Sequence, residues 1–568
     1  MMRIHPFLAP RMFRRSAAAC LLFLFATVAT AQVDEARLAM DRGEYVRAVN
    51  ILSAALAERP TSDTYLYLGI AYGHMKEYQK AEDVLKEGGQ RFPEDSRFHN
   101  ELANLFLENN DVDAARSELS RTLAADPNNG YAADLLASID MSEGEVQAAL
   151  RLWNRSGRPL INDILHNSYL TFGSWVVKDA VSFHPSGVLR YGEWKTTESR
   201  LFETENFANV GLEIEPTSVP DQYNAVVRTT PRANTLSGFA FNLLKGVPLD
   251  TSYLDVWNIG NSGINFNGNY RWDKNRRRAE GRLKIPLPIW GLLHLEIGNT
   301  WRSERWDLSP SIRPEFRPRA RFDYKSNGLR IHVKQIPRYR VEFGAGFEYR
   351  NRASKGDLPE LSTDSRNTGK FTVETNIRLA DGAYQNRLHL EAFAARRSIL
   401  GDAQFSGGVA ELDNRVTLSK DTRTYLDWTI KTGTSRGRLP VEDYFVLGLD
   451  THAENLLRGH TAADHGRYGR GPMGTDFVLI NTDVDRRLAT IPFFNTLGIP
   501  FLTVKWQVFF DGAKTWDRNR IFQQGKLLLD TGGGVRFETP THSFNLIYGR
   551  SLREGKNVLF GYYERRLW

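Results

Sequence analysis

The sequence predicts a multidomain chain: an all-α repeat solenoid, a small α/β module, and a C-terminal transmembrane antiparallel β-barrel of about 16 strands. Three observations carry this reading. Prolines, small residues and aromatics recur with a period of roughly 34 residues in the first quarter of the chain. From Asn234 to Trp568 the segments alternate apolar with polar residues, and none shows a helical pattern. The first residues read as an export signal, and the single cysteine falls inside it.

That signal is residues 1–31. Arg3, Arg11, Arg14 and Arg15 form its basic part, Ala17 to Ala31 its short apolar run, and Ala29-Thr30-Ala31 a small-x-small cleavage pattern. Cys20 lies within the apolar run, which is the wrong place for lipid attachment. A mature chain without cysteine fits a bacterial envelope protein better than a disulfide scaffold. No later stretch approaches the roughly 18 apolar residues of a membrane helix, whereas a barrel gives only a weak signal per strand.

Residues 34–157 are the repeat array. Pro60, Pro93, Pro127 and Pro159 recur, with Ala48, Ala81, Ala115 and Ala148 placed before them. The stretch "YLYLGIAYGHMKEYQKAEDVLKEGGQRFPEDS" resembles a tetratricopeptide repeat through Leu68, Gly69, Tyr72, Ala81, Leu85 and Pro93. The next unit repeats the beat through Ala115 and Pro127. The period implies antiparallel helix pairs, in which small residues permit close approach and proline ends the second helix. Residues 34–150 hold 22 acidic and 11 basic side chains, while the whole chain is +7. An acidic array therefore precedes a basic second half. Solvated helix faces explain most of that charge; an acidic groove for a basic or extended partner is the sharper reading.

Residues 158–232 form the module. From Val176 the sequence reads strand, Pro-Ser-Gly turn, helix, strand, strand. Gly187, Leu201, Phe202, Phe207, Val210 and "YNAVVRTTPR" resemble a POTRA domain, the periplasmic module that precedes certain outer-membrane barrels. Such a module offers a sheet edge to extended chains.

Residues 233–568 are the barrel. "FTVETNIRL" places Phe371, Val373, Ile377 and Leu379 on one face and Thr372, Glu374, Asn376 and Arg378 on the other. Turn clusters such as Lys325-Ser326-Asn327-Gly328 separate the segments. The final segment, with Phe560, Gly561, Tyr562 and the terminal Trp568, resembles an outer-membrane insertion signal.

The last 115 or so residues resemble the BamA-type outer-membrane assembly and secretion superfamily in four pieces, in the family's order: "LLRGH", "LINTDVDRRL", "FFDGAKTW" and "LDTGGGVRFETPTHSFNLIYGRSL". The resemblance implies that a loop carrying Arg458 and Gly459 folds into the lumen, where carboxylates hold the arginine. Strand parity points to Asp483 and Asp511. In "VKWQVFFDG", Val504, Trp506, Val508 and Phe510 share the outer side, so Asp511 faces inward with Lys505 and Gln507. Gly459 is expected to permit a tight turn. His460 departs from the family's aromatic position and introduces a group that titrates near neutrality.

Other motifs carry little. Gly469, Gly471 and Gly474 form a GxGxxG pattern in a loop, with Pro472 where a helix must start. His452, His460, Asp464 and His465 lack metal-ligand spacing. No catalytic constellation is visible, so the expectation is a non-enzyme without cofactor or metal and without nucleic acid. The resemblance implies insertion of proteins into the outer membrane or their passage across it. The expected partners are outer-membrane lipid and periplasmic client or accessory proteins, around a monomeric barrel. A repeat-barrel exporter of polysaccharide is the alternative, and a soluble adaptor with a β-sandwich a third.

Overall fold

The computed structural model describes residues 32–565, apart from 168–173, 220–221, 233, 246, 248–249, 356–360, 362–365, 398–399, 451–454, 465–466, 493–500, 524 and 539–541. The signal, Cys20, His452, His465 and Trp568 lie outside the described residues. The chain divides into two compact units. The first comprises the described residues of Met1–Leu160, Val188–Tyr191 and Ser218–Gln222; the second is Ile161–Gly187, Gly192–Thr217 and Tyr223–Trp568.

In the first unit eight helices run in antiparallel pairs: α1 (32–41), α2 (Tyr45–Glu58), α3 (Ser62–His74), α4 (Tyr78–Arg91), α5 (Arg97–Glu108), α6 (Val112–Ala125), α7 (Gly130–Ser142) and α8 (Val146–Trp153). The repeating small residues sit where helices touch. Ala48, Ala81 and Ala115 are fully buried; in the fourth unit the buried alanine is Ala149 and not the expected Ala148, which is half-buried one residue earlier on α8. A Cβ on Gly69 would lie 2.4 Å from Leu85 Cγ, so α3 and α4 approach only because position 69 has no side chain. Leu68 is buried and Tyr72 packs beside it, while Pro93 follows the end of α4 and Pro127 the end of α6. Arg97 ties neighbouring repeats together, with Nη2 2.8 Å from Asp63 Oδ1 and 2.7 Å from Asp95 Oδ2.

Those bonds from Arg97, with one from the Ser62 hydroxyl, pull the Asp95 carboxyl down to about 2. The folded-state value lies below the ordinary carboxylate range, so the stabilisation is present above about pH 4 and is lost as pH falls toward 2. Asp95→Asn should flatten that acid limb, read as helical circular dichroism against pH in the full chain.

The second unit opens with β1 (Leu160–Asn167), α9 (Ser174–Ala180), α10 (Tyr191–Glu203), β2 (Phe207–Pro216) and β3 (Gln222–Pro231), whose strands form a sheet in the order β1-β3-β2. The segment from Val176 reads as a strand in sequence but forms α9. Its β-branched residues favour a strand locally, yet Val176, Val177 and Ala180 bury one helical face. The strand β1 has no counterpart in the sequence reading.

Next comes a helix, α11 (Leu236–Lys245), in a span where no helix was expected. The strands β4 (Thr251–Ile259), β5 (Ile264–Asp273), β6 (Arg276–Leu287), β7 (Leu293–Asp307), β8 (Arg321–Arg338), β9 (Val341–Lys355), β10 (Asn367–Asp381), β11 (Tyr384–Ala395), β12 (Gln404–Ser419) and β13 (Thr424–Arg438) then follow. A long loop carries four two-residue strands, β14 (Phe445–Val446), β15 (Ala463–Asp464), β16 (Arg467–Tyr468) and β17 (Met473–Gly474). The wall resumes with β18 (Asp476–Pro492), β19 (Phe501–Trp516), β20 (Leu528–Glu538), β21 (His542–Ser551) and β22 (Asn557–Arg565).

All of these strands except β14 and β17, which pair with each other, form a closed barrel in which β22 neighbours β4, in line with the expected size. Lys325 to Gly328 do not end a segment. They lie within β8, paired to both β7 and β9, because a ladder on each side outweighs local turn preference. The barrel is apolar outside and charged inside. Val373, Val508, Phe510, Tyr548 and Leu559 are exposed, while Lys284, Lys505, Gln507 and Asp511 are buried toward the lumen.

The module meets the barrel at one end. Arg200 Nε donates to Ile336 O at 2.9 Å, and the Asn206 side-chain amide donates to Gly263 O at 2.8 Å. Lys284 Nζ reaches Glu203 Oε1 at 2.5 Å, and Arg282 Nη2 reaches Glu205 Oε2 at 2.9 Å. These contacts identify the short β4–β5, β6–β7 and β8–β9 turns as the module end.

Candidate functional site: a loop held in the barrel lumen

The loop between β13 and β18 enters the lumen, and its segment Leu456–His460 lies against the inner faces of β18 to β21. Strand alternation prepares this wall. On β19, Lys505, Gln507, Phe509 and Asp511 face inward and are buried. On β18, Phe477, Leu479 and Asp485 are buried, and Asn481 and Asp483 share their side.

Arg458 is the largest of the loop's inward groups and is 1% exposed. Its Nε lies 2.9 Å from Asp511 Oδ2 and its Nη2 2.5 Å from Asp511 Oδ1. The other side of the guanidinium grips Asp483, with Nη1 bonded to Oδ1 and Nη2 3.2 Å from Oδ2. Arg458 thus engages two carboxylates through both edges of its planar fork. Its backbone N–H also donates to Asp511 Oδ2 at 2.9 Å. The Phe509 ring lies under the guanidinium, 4.0 Å from Cζ to centroid, and adds a cation–π contact.

Gly459 and His460 complete the anchor through a third carboxylate. Gly459 N–H donates to Asp530 Oδ2 at 2.6 Å, and His460 Nδ1 lies 2.9 Å from the same oxygen. Gly459 does not take up a left-handed conformation. Its need is spatial, because a Cβ there would lie 2.5 Å from Asp530 Cγ. His460 is held in place by its bond to Asp530.

Sequence reasoning missed several members of this site. Asn481 donates from Nδ2 to Leu456 O at 2.8 Å and to Asp511 Oδ1 at 2.7 Å, holding both loop and carboxylate. Its signal was present in the Asn-x-acid pattern of "LINTDVD". Asp530 sits in the quoted "LDTGGG" and faces inward by parity. Gly549 gives no sequence signal, yet a Cβ there would lie 2.0 Å from Arg458 O.

A second anchor fixes the same loop to β5 and β6. Asp450 accepts from Arg276 Nη1 and Nη2, each at 2.8 Å, and from Arg271 Nη1 at 3.1 Å. Near the loop's start, Asp443 pairs with Lys370 of β10 at 3.1 Å and Glu442 with Arg352 of β9 at 3.0 Å. The loop is therefore tied to β5–β6, β9–β10 and β18–β20, and it crosses the lumen.

Of the expected terminal residues, Phe560 and Tyr562 face inward and join the cluster of Leu449, Phe509 and Ile547, with Leu456 beside them; Gly561 faces outward with Leu559. No cluster of His, Cys, Asp and Glu among the described residues has the geometry of a metal site.

The fold and this loop define the class: a β-barrel with a strap across its lumen, preceded by an array of helical repeats. The array is a tetratricopeptide-repeat array, since that family matches residues 39–100 and 74–139. No curated protein matches the chain. Among solved structures the chain is similar to BamA from Haemophilus ducreyi lacking POTRA domains 1-3, with 10% identity over 72% of this chain and 84% of that one and a TM-score of 0.43. It is also similar to CdiB from Escherichia coli, with 14% identity over 71% and 74% of the two chains and a TM-score of 0.49. CdiB from Acinetobacter baumannii gives 12% identity over 71% and 73%, with a TM-score of 0.49.

Proposed function

We propose that this protein is an outer-membrane barrel of the BamA-type superfamily that inserts proteins into the outer membrane or passes them across it. Arg458 bridging Asp483 and Asp511 carries the reading, because it realises the four-part motif as one physical lock inside the lumen. The inverted wall supports it as well: apolar side chains cover the outside, and buried charges line the inside, as a bilayer-spanning barrel requires.

On this reading the module and the repeats face the periplasm. The repeats capture a client or accessory protein and raise its local concentration at the barrel mouth. A client strand then pairs at the seam between β4 and β22, using backbone hydrogen bonds. A polymer exporter has no need of the Arg458 lock.

The test compares cells with and without the gene. Proteins inserted in or exported across the outer membrane should fall in abundance, with surface polysaccharide unchanged. Loss of polysaccharide with an intact outer-membrane proteome would support the exporter instead. Deleting residues 34–157 should leave a barrel that inserts and shows heat-modifiable migration but loses its clients, since repeat arrays fold as separate units. Normal client assembly by that variant would end the recruitment role.

A further inference from the structure

The helix α11 stands where the chain needs one more wall element. A meander of antiparallel strands that closes on itself calls for an even number. The β4–β5 turn is at the module end, since Gly263 there bonds to Asn206. The chain leaves the module after β3, and β4 descends toward that end, so α11 takes the ascending place of a first strand.

Hydrogen bonds fix α11 to β4. The Asn234 side chain spans the backbone of Trp257, accepting from its N–H at 2.9 Å and donating to its carbonyl at 2.6 Å. Trp257 lies in the bulge between Val256 and Ile259, where the ladder with β5 is interrupted. At the other end of the helix Ser252 Oγ donates to Leu243 O at 2.9 Å. The last carbonyls of a helix have no intrahelical donor, and in hydrocarbon they find no water either. A hydroxyl from the adjoining strand supplies one such donor.

Parity decides which side of the wall α11 is on. Thr251, Tyr253 and Asp255 pair with Arg271, Asn269 and Asn267 of β5. Arg271 reaches the lumen strap and Asn267 bonds Asp255, so this set faces inward. Ser252 is of the opposite parity, opposite Tyr270, which is 42% exposed. The helix that bonds to Ser252 is therefore on the outer surface. Its outward arc is apolar: Leu236 is 85% exposed, Leu244 65%, and Phe239 is exposed too. The arc continues an apolar outer wall formed by Tyr270 on one side of the seam and Leu559, Leu546 and Tyr548 on the other.

We propose that α11 is a membrane-embedded helix lying on the outer face of the barrel at its seam, with the arc Leu236, Phe239 and Leu244 covered by lipid acyl chains. This rests on the outer-membrane reading above. A helix satisfies its interior backbone groups internally, so it can lie in hydrocarbon beside the seam where an irregular segment cannot. It covers β4 from the lipid side while leaving the lumen to the strap.

Spin-label accessibility in the full chain, reconstituted into phosphatidylcholine vesicles, tests this. Cys20 is the chain's one cysteine and is replaced by alanine. Single labels are then placed at Leu236→Cys and Leu244→Cys, with Val373→Cys on the outer wall and Glu44→Cys in the array as references. The account predicts that positions 236 and 244 match 373: oxygen relaxes the label several-fold more effectively, relative to a water-soluble nickel chelate, than at 44. If 236 and 244 match 44 while 373 is lipid-like, α11 lies in water and the proposal is overturned. If 373 also matches 44, the membrane reading fails instead. Two labelled positions guard against a local defect at either one.

Discussion

Replacing Arg458 by alanine is expected to cost about 3–5 kcal/mol of barrel stability and to release the loop from the wall, the range for breaking a buried ion pair by removing one partner. The loss is large because Asp511 is fully buried and would be left without its cation, with no water to take the cation's place. Asp483 would lose the same partner. Arg458→Lys should recover little, since one ammonium cannot span both carboxylates or lie flat on Phe509. Asp511→Asn in the Arg458→Ala background should add little further damage, because the partners act as a unit. The measurement is a double-mutant cycle on unfolding of the reconstituted barrel, with protease sensitivity of the loop read alongside. Additive losses, with a wild-type loop that is readily cleaved, would show an ordinary loop arginine.

Gly549→Val is expected to do comparable harm, on the order of 3 kcal/mol, while leaving every charged group of the lock in place. The clash is with backbone: the new Cβ would sit 2.0 Å from Arg458 O and 2.8 Å from its carbonyl carbon. No side-chain rotamer can relieve that, so the loop must lift from β21. Gly512→Ala is the matched control. Its Cβ meets only Leu529 Cδ2 at 3.7 Å, so stability should change little. Equal tolerance at both positions, measured by chemical unfolding, would mean that the loop does not press on Gly549.

The parts of this molecule that were legible in sequence are those set by short-range periodicity. Alternation in "VKWQVFFDG" assigns Asp511 to the lumen because a strand's side chains change face at every residue. The alanine and proline beat of the array reports helix spacing directly. The remainder depends on tertiary context. Lys325 to Gly328 look like a turn until two neighbouring strands pair with them. Val176 and Val177 look like a strand until the folded module buries them on one face of α9. Arg276 and Asp450 are 174 residues apart, and no local pattern joins them; only the closing of the barrel brings them to 2.8 Å. Gly549 is invisible for the same reason, since its importance is the proximity of a carbonyl from a distant loop.

The central claim is that polypeptide clients pass by the seam of this barrel. Photocrosslinking from Leu559, on the outward face of β22 and 72% exposed, tests it most directly. A photoreactive residue at 559, activated in growing cells, should yield adducts that carry a second polypeptide and that collapse on protease treatment. Those adducts should weaken in the Arg458→Ala variant and when residues 34–157 are removed. Adducts that contain only lipid or carbohydrate at 559, with no polypeptide under any condition, would contradict the account.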